Sequence, residues 1–148
     1  MISYYDLVNF IESLGEEAYD KNIITRLNCL QVSLEGDRYY RFLDHLSLMI
    51  QARLNNAFNN LINELKNIKN DDKLFENEFK KYTDEVSLCF EIASVKFVHE
   101  DNLIELGRVI MNTNNELLDQ LKKELNTDDE DIIDIIDKAY LEENSGNN

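Results

Sequence analysis

Residues 37–68 read DRYYRFLDHLSLMIQARLNNAFNNLINELKNI. Within them Leu43, Leu46, Ile50, Leu54, Phe58, Leu61, Leu65 and Ile68 recur in steps of three and four, the repeat of a helix with one apolar face. The opposite side carries Asn55, Asn56, Asn59, Asn60, Asn63 and Asn67, which solvate well but are mediocre helix formers. Packing of the stripe, more than intrinsic propensity, must therefore hold this helix. Asp37 stands where a cap is needed.

Working outward, the same period gives six helices with short joins. Ser3 caps the first, with Asp6 three residues on; Tyr4, Val8 and Ile11 form its face and Gly15 stops it. The second runs to about Leu34, with Tyr19, Ile23, Leu27, Leu30 and Leu34 in register and Gly36 just beyond its end. Asp71 and Asp72 open the fourth, which sets Phe75, Phe79, Tyr82, Val86, Cys89, Ala93 and Phe97 on one face. From Leu88 to Val98 it is apolar nearly all round, which suits a central position. A β-strand over Phe90 to Val98 is the rival reading, because short apolar runs are ambiguous by periodicity.

Asn102 with Glu105 can cap the fifth helix, which carries Leu103, Leu106, Ile110, Leu117, Leu121 and Leu125. Gly107 inside it points to a close helix contact or to a tolerated weak spot. Thr113 and Glu116 have capping-box spacing, which would break the helix at Asn112–Asn115; one continuous helix is the preferred reading. With no proline and only four glycines in 148 residues, the punctuation of a strand-rich fold is missing. The expectation is an all-α, single-domain bundle of about five to six helices over residues 1–143, with long antiparallel third and fourth helices and a disordered tail over 144–148.

A formal charge of -15 and a pI near 4.4 argue against direct contact with nucleic acid or an anionic membrane, since phosphate binding relies on lysine and arginine. A basic or neutral protein partner is expected instead. Cys29 and Cys89 sit in apolar periodic stretches and are expected to be reduced and buried. The amino terminus lacks the basic start of a leader, and no window approaches about 18 consecutive apolar residues. A cytoplasmic protein is the expectation.

Catalytic and metal chemistry is scarce. Neither His45 nor His99 has a partner at metal-ligand spacing, and the Glu-x-x-His pairs of di-iron bundles are absent, so no metal or cofactor is expected. His99, Glu100 and Asp101 cluster at a join; the preferred reading places His99 at the end of one helix and the two acids at the start of the next. Cys89 lies on the same expected helix as His99 but ten residues, about 15 Å, away along the axis. A pairing of Cys29 with His45 stays open, although a cysteine in an apolar stripe is usually core. There is no phosphate loop or nucleophile elbow, and the acidic run from Asp128 lacks the glycine and glutamate of a calcium loop.

Two features suit binding. Arg38, Tyr39, Tyr40 and Arg41 have the composition of interface hot spots. Adjacent residues on a helix point about 100° apart, so either one tyrosine is displayed or both pack between neighbouring helices. The second feature is the segment Asp128–Glu143, where eight carboxylates meet a single lysine. Thr127 and Glu130 have capping-box spacing, and Asp128, Asp129 and Glu130 suit a first helical turn. Ile132, Ile133, Ile135, Ile136, Ala139 and Tyr140 fall on one arc, leaving Asp131, Asp134 and Asp137 facing outwards. Solvation alone would account for those three acids.

The candidate partner-binding residues are therefore Asp131, Asp134, Asp137, Arg38, Tyr39, Tyr40 and Arg41. The expected function is that of a non-enzymatic acidic binding module, such as an inhibitor or immunity-type protein occupying a basic surface on a toxin, nuclease or other nucleic-acid-binding protein. A homo-oligomeric helical scaffold or adaptor is the alternative, and a small enzyme with a site near His45 or His99 the third.

Overall fold

In the computed structural model of the chain, which describes residues 3–15, 22–31, 34–67 and 71–142, every regular element is a helix. These are α1 (Tyr4–Leu14), α2 (Asn22–Asn28), α3 (Asp37–Leu65), α4 (Asp72–Ala93), α5 (Glu100–Leu125) and α6 (Glu130–Asp137). Tyr19 and Ile68, expected on the stripes of the second and third helices, and the 144–148 tail lie outside the described residues. No described helix is long and apolar enough to cross a membrane.

At 29 residues α3 spans about 43 Å and is the spine of the bundle. Leu43, Leu46, Ile50, Leu54, Phe58 and Leu61 are buried as the periodicity requires, and the six asparagines behind them are exposed. The helix also buries Tyr39, Phe42, Met49 and Arg53. It runs antiparallel to α4: the Cys89 thiol reaches Ile50 O, Arg53 meets Glu85, and the ring of Phe58 meets that of Tyr82. α1 lies alongside α3 in the same direction, with Tyr4 beside Arg38, Glu12 beside His45, and Leu14 beside Arg53. Each leucine, isoleucine or phenylalanine fully buried in these faces contributes roughly 1.5–3 kcal/mol.

Several helix ends differ from the periodic reading, each for a tertiary reason. α1 buries Leu7, Ile11 and Leu14 and leaves Tyr4 and Val8 half-buried, and its Leu14 carbonyl accepts from Arg53 of α3. Ser3 does cap it, accepting from the Asp6 amide at 3.1 Å. α2 stops at Asn28, whose Oδ1 accepts from the Lys96 amide at 3.1 Å, and Leu30 and Leu34 pack from outside the helix. Gly36, not Asp37, precedes α3, with φ 57° and ψ −131°, a conformation open to glycine. Asp37 takes the first helical position, where its charge still favours the helix dipole.

α4 ends at Ala93, and residues 94–98 pass through turns with Val95 and Val98 buried; the strand reading of Phe90–Val98 does not hold. His99 is the N-cap of α5 and does not end the helix before it, while Asn102 lies in the first turn of α5. α5 is continuous, and Asn114 shows why the polar run at 112–115 is no break: it is buried, accepting from the Tyr82 hydroxyl at 2.8 Å. A Cβ added at Gly107 would meet nothing within 4 Å, so no close helix contact depends on it. α6 is capped by Asp129, not Thr127. Cys89 is buried, but Cys29 is exposed because α2 has already ended.

One interaction was invisible to the apolar pattern. Arg53 and Glu85 are both buried; Arg53 Nε donates to the Glu85 carboxylate and Nη1 to the Leu14 carbonyl, so one guanidinium ties α1, α3 and α4. Removing one partner leaves the other charge buried and unpaired, so Arg53→Ala or Glu85→Ala is expected to lower unfolding stability by about 3–5 kcal/mol, and Arg53→Met with Glu85→Leu by less. Urea titration checks this. Single variants as stable as the wild type would show the pair to be incidental.

Candidate functional site

The seven candidate binding residues do not form one surface. Tyr39, Tyr40 and the two arginines stand at the start of α3, whereas α6 packs against α4, whose first residues follow the far end of α3. The two groups lie towards opposite ends of α3, which is about 43 Å long.

At the α3 end the adjacent tyrosines divide. Tyr39 is 4% exposed and Tyr40 62%. The Tyr39 hydroxyl accepts from the His99 amide at 2.8 Å and donates to Asn102 Oδ1 at 2.8 Å, and its ring stacks on the His99 imidazole with centroids 4.0 Å apart. It fastens the start of α5 to the start of α3 and is not available to a partner. Tyr40 is displayed with Tyr5, which is 76% exposed, while the Arg38 guanidinium lies 5.7 Å from the Tyr4 ring and Arg41 is exposed.

At the other end the three acids of α6 also divide. Asp137 is ion-paired with Lys122 of α5, and the Lys122 ammonium sits 4.9 Å from the Tyr140 ring. The Tyr140 hydroxyl donates to Asp119 at 2.6 Å; burial first, then this bond, holds it above its ordinary pKa. Asp137 thus fastens α6 to α5 while its side chain stays half exposed. Asp134 is exposed and makes no ion pair among the described residues.

Asp131 belongs to a cluster that the sequence does not announce. Carboxylate oxygens of Asp72 at the start of α4 and of Asp129 and Asp131 at the start of α6 lie within 4.8 Å of one another. Asp129 is also the cap of α6, its Oδ1 accepting from the Asp131 and Ile132 amides at 3.0 and 3.3 Å. Asp71 caps α4 in the same way, accepting from Lys73 and Leu74. Asp72 Oδ1 is buried without a hydrogen-bond donor among the described residues. The Asp129 carboxylate, which can accept from Asp72 only when Asp72 is protonated, is the first cause that raises the Asp72 pKa, followed by burial and the charges of Asp129, Asp131 and Asp71; the same pairing lowers Asp129, helped by the amides it caps. Capping logic explains each acid on its own helix. What brings them together is the docking of α6 on α4, which no local pattern encodes.

The residues named by the enzyme reading stand apart from one another among the described residues. His45 Nδ1 lies 3.5 Å from a Glu12 oxygen on the surface of α1 and α3, and His99 is occupied by Tyr39. Burial, then the Glu85 charge, pushes the Cys89 thiol well above its ordinary pKa, which disfavours the thiolate a nucleophile needs. A cleft of about 290 Å³ beside Gly15, Asn60, Glu78 and Tyr82 has the Arg53–Glu85 pair in its wall, with both charges already satisfied by each other. No protein-family model, curated protein or solved structure matches the chain.

The two tyrosines give a direct check of these assignments. Tyr39→Phe removes the hydroxyl that the part-buried His99 amide and Asn102 use and is expected to cost about 1–1.5 kcal/mol. Tyr40→Ala, on an open surface, should change stability by no more than about 0.5 kcal/mol. Thermal melts of the two variants measure both; the reverse order would overturn the division.

Proposed function

We propose that this chain is a non-enzymatic protein-binding module whose acidic surface, made by the start of α4 and the outer side of α6, takes a basic surface of a partner protein. The observation that carries the reading is the convergence of Asp72, Asp129 and Asp131 from two helices, with exposed Asp134 one turn further along α6 and no ion pair to any of the four among the described residues. Like charges held this close raise the local potential, and a lysine or arginine from a partner relieves it. Such fields speed encounter and select the partner by charge. The partner classes that fit are toxins, nucleases and other proteins whose working surface is cationic, which makes an inhibitor or immunity-type role the concrete form of the proposal.

A self-associating scaffold is the second reading. It is favoured by Tyr40 at 62% and Leu48 at 63% exposure, two turns apart on α3. Light scattering decides that point, since a monomer at all concentrations removes it.

The binding reading predicts that Asp131→Asn with Asp134→Asn weakens capture of basic proteins from the native host and flattens the dependence of that capture on salt, with helix content unchanged by circular dichroism. Equal capture by wild type and variant at low and high salt contradicts it. Asp137 is left intact in this test because its charge holds Lys122.

A further inference from the structure

The attachment of α6 is uneven along its length. Of its residues only Ile132 and Ile136 are buried. An open groove of about 420 Å³ runs between it and α4, bordered by Phe79, Val86 and Ile135 and also by Glu76, Lys80 and Lys138, and a second of about 300 Å³, half polar, lies towards α5, bordered by Lys122, Asn126 and Ile133. Both grooves open to solvent along the sides of α6, so the helix is held to the bundle by little apolar contact beyond Ile132 and Ile136.

Its fastenings gather at the far end. The Asn115 side chain pairs with both backbone groups of Leu141, accepting from its amide at 2.9 Å and donating to its carbonyl at 2.8 Å. Asn114 Nδ2 donates to Ala139 O at 3.0 Å, and the Lys122–Asp137 and Tyr140–Asp119 contacts lie in the same region. At the near end stand the like charges. The groups facing Asp72 are Asp71 from its own helix and Asp129 and Asp131 from α6; the α5 lysine beside α6, Lys122, is engaged by Asp137.

We infer that α6 is a latch that opens apart from the rest of the bundle and that closes more tightly when a cation or a proton neutralises the Asp72, Asp129 and Asp131 junction. The latch deepens the binding proposal and rests on it for the identity of the cation, a lysine or arginine of the partner; its opening and its response to protons do not. The pH sense follows from the two aspartates. Asp72 titrates above the ordinary aspartate value, so the folded state holds the extra proton there and the latch tightens as pH falls into that window and loosens as pH rises through it. Asp129 titrates below the ordinary value and acts in the opposite sense only at lower pH.

Amide hydrogen exchange on the full, partner-free chain tests this. The amides of Ile133–Ile136 are expected to exchange faster than those of Leu46–Leu54 once intrinsic rates are removed. Asp72→Asn replaces a repelling carboxylate with a group that can donate to Asp129, and it should raise the protection of α6 by about fivefold at neutral pH. Asp131→Asn serves as the second variant and should act in the same direction. Mild acidification should raise the protection of α6 in the wild type and little in Asp72→Asn. Protection of α6 equal to that of α3, or no gain in either variant, overturns the latch. Either result leaves the salt-dependent capture test standing, and a failed capture test leaves the exchange result standing.

Discussion

The Arg53 guanidinium is buried where three helices meet, and the arrangement of the bundle depends on its being satisfied there. Apolar burial drives the helices together but has no direction, and a stripe of leucines can slide by a turn at small loss. A buried charge cannot: both Arg53 and Glu85 are satisfied in only one register of α3 against α4, and the Leu14 carbonyl then sets where α1 ends. With α4 so placed, its start presents Asp71 and Asp72 at the far end of α3, and α5 returns to bring α6 against them. The Tyr39 hydroxyl acts at the opposite end, joining α3 to the start of α5. Two polar contacts at the two ends of the spine thus orient what the hydrophobic effect collects.

Much of this was legible before any coordinates. The steps of three and four from Leu43 to Leu61 and from Phe75 to Ala93 describe the buried faces of α3 and α4, and Ile132 and Ile136 dock α6 as their arc requires. Helix ends were less legible because they are set from a distance: Asn28 is bound by the Lys96 amide, and His99 is drawn to Tyr39. Arg53 did leave a signal. A charged residue between Ile50 and Leu54, on the buried side of the most regular stripe, calls for a buried partner. Its partner Glu85 stands 32 residues on, and only the packing of α4 on α3 identifies it.

The candidate binding residues show the same limit. Composition picked out Tyr39 and Tyr40 together, but a single-residue rotation of about 100° separates a core anchor from a displayed ring. The alternation of acids on α6 picked out Asp131, Asp134 and Asp137, yet Asp137 is held by Lys122 and one of the two acids closest to Asp131 comes from α4. Asp72 and Asp129 each read as ordinary first-turn or capping acids. Their effect on one another arises when two helix starts, each favouring negative charge, are packed side by side. The dipoles stabilise the acids singly while the acids repel as a group. That opposition is what a cationic partner would resolve, and it is why a feature of stability can serve recognition.

The most direct measurement is a carboxyl-resolved NMR titration of the full chain, following the side-chain carbons of Asp72 and Asp129 through the acid range. Two separated transitions are expected, Asp72 above the ordinary aspartate value and Asp129 below it, with Asp131→Asn bringing Asp72 part of the way back towards the ordinary value. Two independent transitions at the ordinary value, unmoved by Asp131→Asn, would mean that the carboxylates do not converge and that the acidic junction is only a solvated surface.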